Sequence, residues 1–480
     1  MNREIFTPDS TYSYGMFLQE VWSCVDYLTA RGIKAEDRVL LSMENSFSYM
    51  VTVFALIEIK CSIVLVDCLV NGEEVTRIAL ESKCKCSITD RLVPFSDALI
   101  HITMPTHEKR ISRKTDELSI EGWMTLKDAL ILYTSGSTGN PKGIVKSGGS
   151  FVSNIESTMK RMRYYREDVL LPLIPFTHFY GLSILFIWWL EKCDLVLCNY
   201  KDIRSIVKAI IDKKVTVVDG IPSTYYVFNR LLNKRAESLQ VIKESNVRMW
   251  CVGGAPLSKK LSDEFERLMD KPLLDGYGLS EVGNVALNVE GPEFGCGQPI
   301  EGVRLKVARS DGKESEILEI GEVLVQSSGV MECYFEDQEK TDEVYHDGWF
   351  KTNDLGYLDA HGNLFIVGRL GEEILRNGYL IYPASIEKEI EDRLGIKSKV
   401  ISIEDEKKGA VLLLFVEAAE EEENQLKRMI NQALNPILRP DKIIVLDEFP
   451  YLANGKIDQI QIKQWATHYS KGKERELWVT

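Results

Sequence analysis

The chain has 480 residues, a formal net charge of −14, 45% hydrophobic residues and 27% charged residues. This length can bury a large core and is expected to form at least two domains. The acidic balance argues against nucleic acid and anionic membranes as partners. The longest apolar stretch is too short for integral membrane association, and the first residues do not resemble a signal peptide. The ten cysteines lack metal-type spacing and indicate buried thiols, so the sequence predicts a cytoplasmic protein.

The first half of the chain alternates helical and strand-like segments, which predicts an α/β domain with a largely parallel sheet. The predicted helices and strands are, in order, helix 14–31, strand 38–42, helix 47–59, strand 62–66, helix 71–82, strand 86–89, strand 129–132, strand 169–173, strand 195–198, helix 203–212, strand 215–218, helix 224–232 and strand 249–252. From about Gly295 the segments become shorter and β-rich. A compact α+β unit follows Leu370, so we predict domains at 1–369 and 370–480.

A loop dense in hydroxyls and glycines follows the apolar strand 129–132. Its candidate phosphate-binding residues are Thr134, Ser135, Gly136, Ser137, Thr138, Gly139 and Lys142. The glycines let backbone N–H groups approach an anion, while the hydroxyls and the lysine add donors and positive charge. The spacing is not that of a P-loop NTPase or kinase, because Lys142 precedes Gly143 instead of a serine or threonine. By itself the loop is equally typical of a Ser/Gly-rich surface turn.

Six further motifs follow this loop in a fixed order. They are Pro175–Gly181 with one histidine, Trp250–Leu257, Asp275–Glu281, Thr352–Asp354, Gly368–Arg369 and Asn454–Asp458. Together the seven motifs resemble the adenylate-forming superfamily of acyl- and aryl-CoA synthetases, adenylation domains and luciferases, from about Tyr12 to about Lys463. The resemblance implies a large N-terminal AMP-binding and acid-binding domain with layered α/β subdomains plus a β-rich subdomain. It also implies a small, mobile α+β C-terminal domain that carries the catalytic lysine.

The family activates a carboxylic acid with ATP and Mg²⁺ to an acyl-adenylate, and then passes the acyl group to a thiol. The central task of the first step is to neutralise charge between a carboxylate and the α-phosphate. By resemblance, the catalytic residues are Lys456, Ser280 and Glu281, and Glu281 is also the Mg²⁺ ligand. Without the resemblance, Lys456 is more simply a solvated lysine beside an Asn-Gly turn.

The resemblance also assigns the nucleotide-binding residues. The loop is expected to hold the β- and γ-phosphates, and the residues around the rest of the nucleotide are Gly254, Ala255, Pro256 and Tyr277 for adenine, Asp354 for ribose and Arg369. Each has a simpler interpretation: Tyr277 as a core aromatic, Asp354 as a turn cap and Arg369 as an interdomain salt-bridge partner.

The acid pocket is assigned to His178, Phe179 and Gly278, and the thiol tunnel to Gly378. In this family the histidine motif is similar to that of acyl- and aryl-CoA ligases, which implies a fatty or aromatic acid without an α-amine. A lone histidine is otherwise more often a satisfied core residue. The family's hinge position is occupied here by Gly371, whose permissive backbone can still serve as a pivot.

The resulting hypothesis is an acid–thiol ligase that uses ATP, Mg²⁺ and a small carboxylic acid, with CoA as the acyl acceptor. A pantetheinyl carrier protein is the alternative acceptor, because it presents the same thiol arm. A non-catalytic nucleotide- or acyl-binding protein is the alternative from a different class. The residues that argue against it are the intact Lys142, Glu281, Asp354, Arg369 and Lys456.

Overall fold

The computed structural model describes residues 3–90, 100–103, 116–134, 142–234, 236–291, 293, 295–372, 374–376, 379–405, 409–417, 423–451 and 457–470. Its helices are α1 Tyr14–Ala30, α2 Phe47–Ile59, α3 Gly72–Glu81, α4 Glu121–Met124, α5 Gly148–Met162, α6 Phe179–Glu191, α7 Ile203–Asp212, α8 Pro222–Lys234, α9 Ala236–Lys243, α10 Lys259–Met269, α11 Gln338–Glu343, α12 Pro383–Leu394, α13 Glu423–Ala433 and α14 Gln459–Ser470. Several helices begin at a polar side chain that caps a backbone N–H: Ser13, Ser46 and Ser147 accept from the residue three positions on.

The strands are β1 Glu4–Phe6, β2 Thr11–Ser13, β3 Arg38–Ser42, β4 Ser62–Leu65, β5 Cys86–Thr89, β6 Ile100–Thr103, β7 Leu130–Thr134, β8 Lys142–Lys146, β9 Val169–Pro172, β10 Asp194–Val196, β11 Val217–Gly220, β12 Met249–Gly253, β13 Leu273–Leu279, β14 Gly283–Leu287, β15 Gln298–Pro299, β16 Arg304–Ala308, β17 Gly321–Gln326, β18 Cys333–Tyr334, β19 Tyr345–His346, β20 Trp349–Leu358, β21 Leu364–Arg369, β22 Ile374–Arg376, β23 Tyr379–Ile381, β24 Ser398–Asp405, β25 Gly409–Glu417 and β26 Lys442–Leu446. They form five sheets.

A seven-stranded sheet has the order β18-β8-β7-β4-β3-β5-β6. Its strands from β7 to β6 are parallel, and β8 and β18 add antiparallel strands at one edge. Leu40, Val64 and Ile131 on its central strands are fully buried. Continuous apolar strands are typical of a parallel sheet that is covered on both faces.

A nine-stranded sheet has the order β15-β14-β13-β12-β11-β9-β10-β1-β2. The strands from β1 through β10, β9, β11 and β12 to β13 are parallel, whereas β14 and β15 return antiparallel. The carboxyl ends of parallel strands are where α/β proteins bind ligands. The predicted motifs around Gly254 and Tyr277 lie at this end of the sheet, at the ends of β12 and within β13.

The shorter β-rich segments form a five-stranded sheet with the order β16-β17-β20-β19, in which β21 pairs with β20. The final α+β segment contains the sheet β24-β25-β26 and the hairpin β22-β23. One face of β25 packs Leu412 and Leu414 against Ile386 and Ile430 of α12 and α13, and the opposite face packs Phe415 in a second cluster. The predicted α/β class with a β-rich portion and an α+β segment is confirmed.

The chain divides into two compact units. The first comprises Met1–Gly254, Phe265–Leu305 and Val325–Phe350, and the second comprises Ala255–Glu264, Lys306–Leu324 and Lys351–Thr480. The domain division predicted from the sequence, 1–369 and 370–480, stays a prediction.

No helix among the described residues is long and apolar enough to cross a membrane. All ten cysteines lie in described segments and form no disulfide, and eight of them are buried. Burial raises the pKa values of Cys61, Cys84 and Cys86 to about 12, so these thiols stay protonated near neutral pH.

Candidate functional site

The predicted phosphate loop connects two antiparallel strands. Thr134, the last residue of β7, pairs with Lys142, the first residue of β8. Ser135, Gly136, Ser137, Thr138 and Gly139 lie outside the described residues, as do Gly378 and Lys456. The hairpin therefore fixes where the loop begins and where it ends.

Glu281 and Lys142 come together around one tyrosine. Ser280 and Glu281 lie in the turn between β13 and β14. The hydroxyl of Tyr334 donates to Oε1 of Glu281 over 3.1 Å, and Nζ of Lys142 lies 5.6 Å from the centre of the Tyr334 ring. Tyr334 reaches this position because β18 pairs with β8, with Tyr334 opposite Ile144. The structure thus gathers a lysine and a carboxylate that are 139 positions apart in the sequence numbering.

The electrostatics at Lys142 suit an anion. Burial and the adjacent ammonium group of Lys340 lower the pKa of Lys142 to about 8, while Glu281 acts in the opposite direction. Two neighbouring ammonium groups repel each other, and a bound polyphosphate would remove that repulsion. Lys340 belongs to α11 and was not singled out by its sequence pattern, because it sits in a short acidic helix that is typical of solvated surface.

Lys146 is a second residue that sequence reasoning missed. Its side chain is fully buried, and its Nζ donates to the backbone carbonyls of Glu281 over 3.1 Å and Gly329 over 2.6 Å. The same Nζ lies 5.3 Å from the ring centre of Phe179. Burial lowers the pKa of Lys146 to about 7, although the negative charges of Glu281 and Glu332 act to raise it. The signal in the sequence was the alternation in β8, which places residues 142, 144 and 146 on one face.

The strand β13 contains the predicted adenine and acid residues. Its register with β14 shifts between Tyr277 and Gly278. A Cβ added at Gly278 would lie 2.5 Å from the carbonyl oxygen of Gly283, so this close approach requires glycine. Tyr277 is 9% exposed, and its predicted stacking on adenine stays a prediction, as does the contact of Gly278 with the acid.

His178 lies just before α6 and pairs with a carboxylate. Its Nε2 is 2.8 Å from Oδ2 of Asp67, which follows β4. Burial acts to raise the pKa of Asp67, but hydrogen bonds from His178 and the backbone N–H of Leu69 outweigh it, and the net shift is downward. A Cβ at Gly181 would come 2.1 Å from the carbonyl oxygen of Pro175, so the turn that presents His178 depends on glycine.

A second carboxyl group, that of Asp219, contacts Tyr180, which is two residues after His178. Asp219 on β11 is 1% exposed, and its Oδ1 accepts a hydrogen bond from the Tyr180 hydroxyl over 3.0 Å. Burial raises the pKa of Asp219 to about 7, although the bond from Tyr180 opposes this. Phe179 packs edge-on against Phe151 at 5.4 Å, and its predicted contact with the acid stays a prediction.

Asp354 and Arg369 meet in the second unit. They are register partners on β20 and β21, and Nε of Arg369 lies 2.8 Å from Oδ1 of Asp354. The Asp354 side chain is 6% exposed and that of Arg369 is 50% exposed. Asp354 is therefore a strand residue, and the alternative of a turn cap is wrong.

The predicted adenine strip spans the two units in sequence. Gly254 ends the first segment of unit one with a φ of +78°, a conformation that favours glycine. Ala255 and Pro256 begin the first segment of unit two.

The side chains around Glu281 and Lys142 fit a magnesium ion and a nucleoside triphosphate. A carboxylate such as Glu281 is the ligand that hard Mg²⁺ prefers, and Mg²⁺ in nucleotide sites is commonly held by one or two carboxylates together with phosphate oxygens. The adjacent Lys142 and Lys340 supply the positive charge that phosphate oxygens need.

Two family models match the chain. One describes the AMP-binding enzyme and matches residues 1–335, and the other describes the AMP-binding enzyme C-terminal domain and matches residues 398–456. The chain belongs to the AMP-binding enzyme family. Among curated relatives of this AMP-binding enzyme, the 2-succinylbenzoate–CoA ligase of Enterococcus faecalis is 27% identical over 457 residues, which cover 92% of this chain and 90% of the relative.

Solved structures match the fold over nearly the whole chain. ATP-bound MatB from Rhodopseudomonas palustris has a TM-score of 0.85 at 23% identity and covers 98% of this chain and 97% of its own. The o-succinylbenzoate CoA synthetase of Bacillus subtilis with an acyl-adenylate intermediate has a TM-score of 0.82 at 24% identity, with 96% and 95% covered. The same Bacillus subtilis enzyme has also been solved with ATP and magnesium.

These comparisons confirm the predicted family, fold and enzyme class for this AMP-binding enzyme, namely an acid–thiol ligase. The expected use of ATP, Mg²⁺ and CoA agrees with these comparisons: the Bacillus subtilis enzyme has been solved with ATP and magnesium and with AMP, and the curated relatives are named as CoA ligases. The individual site residues stay predictions.

Proposed function

We propose that this AMP-binding enzyme activates an aromatic carboxylic acid without an α-amine and transfers it to CoA, with 2-succinylbenzoate as the first acid to test. The name of the relatives supports this aromatic class, because they are 2-succinylbenzoate–CoA ligases that match along 92% of the chain or more. Fatty acids are the competing substrate class.

The proposal that the acid has no α-amine rests on the pairing of Asp67 with His178. An α-ammonium group needs an ionised carboxylate that is free to accept its hydrogen bonds. Asp67 already accepts from His178 and from the backbone N–H of Leu69. Asp219 is buried, is bonded to Tyr180 and has a pKa raised to about 7, so near neutral pH a large share of it carries no charge. Asp67 and Asp219 are thus engaged by His178 and Tyr180, which supports an acid without an α-amine.

The proposed roles follow from the charges. When bound, Mg²⁺ supplies positive charge to the phosphates, and Glu281 holds it with its carboxylate direction set by Tyr334. Lys142, together with the loop from Thr134 to Gly139, binds the β- and γ-phosphates, and Ser280 contacts the α-phosphate. Lys456 neutralises charge between the acid carboxylate and the α-phosphate.

The remaining roles concern the nucleoside, the acid and the thiol. Tyr277 and the strip Gly254–Pro256 contact adenine, and Asp354 accepts from the ribose hydroxyls beside Arg369. His178, Phe179 and Gly278 line the acid pocket, and Gly378 lets the pantetheine arm of CoA pass close to the backbone. We further propose a domain boundary near residue 370. We also propose a cytoplasmic location, which is supported by ten cysteines that form no disulfide.

The deciding experiment measures acid-dependent pyrophosphate release with Mg²⁺ and ATP across 2-succinylbenzoate, benzoate, fatty acids of several lengths and α-amino acids, each with and without CoA. We expect the fastest release with an aromatic acid and formation of its CoA thioester. Fastest release with an amino acid would contradict the absence of an α-amine. Release without thioester formation would indicate a pantetheinyl carrier protein as the acceptor.

A further inference from the structure

Lys146 lies on the same face of β8 as Lys142, four residues further along the strand. Its neighbours are backbone carbonyls: Nζ donates to Glu281 O over 3.1 Å and to Gly329 O over 2.6 Å. The remaining direction of the ammonium group faces the ring of Phe179 at 5.3 Å. Among the described residues, no carboxylate lies within salt-bridge distance of this ammonium group, so neutral oxygens and an aromatic ring satisfy it.

The two acceptors belong to the segments that carry the Glu281 site. Glu281 O also accepts from the backbone N–H of Met331 over 2.6 Å, so Lys146 and Met331 hold the same peptide oxygen. Gly329 is two residues before Met331 and precedes Tyr334, whose hydroxyl binds the Glu281 side chain. The buried ammonium group of Lys146 therefore connects β8 to the peptide of Glu281 and to the segment that leads to Tyr334.

A buried lysine is costly compared with an apolar side chain of the same length. Removing an ammonium group from water is unfavourable, and an apolar side chain would fill the same space without that loss. A buried cation bound to carbonyls contributes a fixed geometry, because each carbonyl must keep its direction to satisfy it.

We propose that Lys146 is a positioning residue that holds the Glu281 peptide in place, and that it thereby sets the affinity of the enzyme for magnesium-bound nucleotide. The inference rests on the proposed role of Glu281 as the Mg²⁺ ligand. Lys146 bonds to the backbone carbonyl of Glu281, so its effect is on the direction in which the carboxylate points.

The test uses the whole chain and the ATP analogue α,β-methylene-ATP, which binds without reacting. Its dissociation constant is measured by calorimetry with Mg²⁺ and with EDTA for the wild type, Lys146→Met and Lys146→Gln. The methionine keeps the length of the side chain and removes its donors, whereas the glutamine keeps neutral donors for the two carbonyls. Lys85→Met is the matched control, because Lys85 also bonds a backbone carbonyl, that of Gly32, and a carboxylate, that of Asp37, on the same unit.

We expect wild type to bind the analogue more tightly with Mg²⁺ than with EDTA. Lys146→Met should weaken binding at least tenfold with Mg²⁺ and less than twofold with EDTA, whereas Lys146→Gln should stay within threefold of wild type in both. Lys85→Met should change neither constant. Equal weakening with and without Mg²⁺ in Lys146→Met, or no weakening, would overturn the inference.

Binding of the analogue by the wild type separates this inference from the proposed function. If wild type does not bind the analogue at all, the proposed nucleotide chemistry is wrong. If Lys146→Met does not fold, Lys146→Gln decides: weakening confined to Mg²⁺, even if it stays within threefold, supports the inference, and equal weakening with and without Mg²⁺, or none, overturns it.

Discussion

The hydroxyl of Tyr334 donates a hydrogen bond to Oε1 of Glu281 over 3.1 Å. Tyr334 is 7% exposed and is held by the pairing of β18 with β8. The carboxylate of Glu281 is therefore directed by a strand that lies more than fifty residues further along the chain.

Removing this hydroxyl is expected to weaken the binding of Mg²⁺–ATP more than it weakens the fold. A hydrogen bond to a charged group contributes about 1.5–3 kcal/mol, which corresponds to an increase of at least about tenfold in the KM for Mg²⁺–ATP in Tyr334→Phe. Tyr14→Phe is the matched control, because the Tyr14 hydroxyl also donates to a carboxylate, that of Glu117, over 3.0 Å, away from Glu281. Equal KM values for Tyr334→Phe and Tyr14→Phe in pyrophosphate release would refute the assigned role of Glu281.

Asp354 gives a prediction about the sugar of the nucleotide. If its carboxylate accepts from the ribose hydroxyls, Asp354→Asn should lose most of the preference of the wild type for ATP over 2′-deoxy-ATP. The free energy of unfolding should change little, by about 1 kcal/mol or less, because Arg369 is half exposed. Asp359→Asn serves as the control, since Asp359 bonds Asn363 in a turn. Unchanged nucleotide discrimination in Asp354→Asn would contradict the ribose assignment.

Asp67 links the acid pocket to stability at low pH. Its folded pKa is lowered, because hydrogen bonds from His178 and Leu69 outweigh the opposing effect of burial. A carboxyl with a lowered folded pKa stabilises the protein above its unfolded pKa of about 3.9, and this contribution is lost as the pH falls through the folded value. We expect urea unfolding to show wild type more stable than Asp67→Asn above about pH 5, with the difference shrinking below about pH 4.

The same pair predicts an effect on substrate binding. Asp67→Asn and His178→Gln should both raise the KM for the acid while the KM for ATP stays nearly constant. A change confined to the KM for ATP would show that the pair lies outside the acid pocket.

The pKa of Asp219 is shifted in the opposite direction to that of Asp67, so its contribution to stability changes with pH in the opposite sense. Burial raises its folded pKa to about 7, above an unfolded value of about 3.9, so the folded state disfavours its ionised form. Stability should fall as the pH rises from about 4 to about 7, by at most about 1.4 kcal/mol per pH unit, and then level off. Asp219→Asn should remove this slope in urea unfolding and gain stability relative to wild type by about pH 8. Parallel pH curves for the two proteins would contradict the raised pKa.

The elements that sequence periodicity predicts best are those with a local cause. Helices α2 and α7 and strand β3 have the bounds that their sequence pattern predicts, because their apolar spacing and flanking turns lie within the element itself. The phosphate loop and the Glu281 motif were likewise recognisable, since each is a short continuous segment.

The sequence could not predict the partners that fix those motifs. Lys146 binds the carbonyls of Glu281 and Gly329, which are 135 and 183 positions away, and Asp67 meets His178 across 111 positions. Such pairs follow from the order of strands in two sheets and not from local spacing. A lysine in an alternating strand also suggests solvent exposure, whereas Lys146 is fully buried.

The buried thiols can report local unfolding of the chain. Thiol reagents react with the thiolate form of cysteine. Burial excludes the reagent from Cys61, Cys84 and Cys86, and it also raises their pKa values so that little thiolate is present. Cys198 and Cys333 are only partly buried and differ from the rest. The number of cysteines that iodoacetamide modifies over time, counted by mass spectrometry, therefore measures how often each region unfolds, without any added probe.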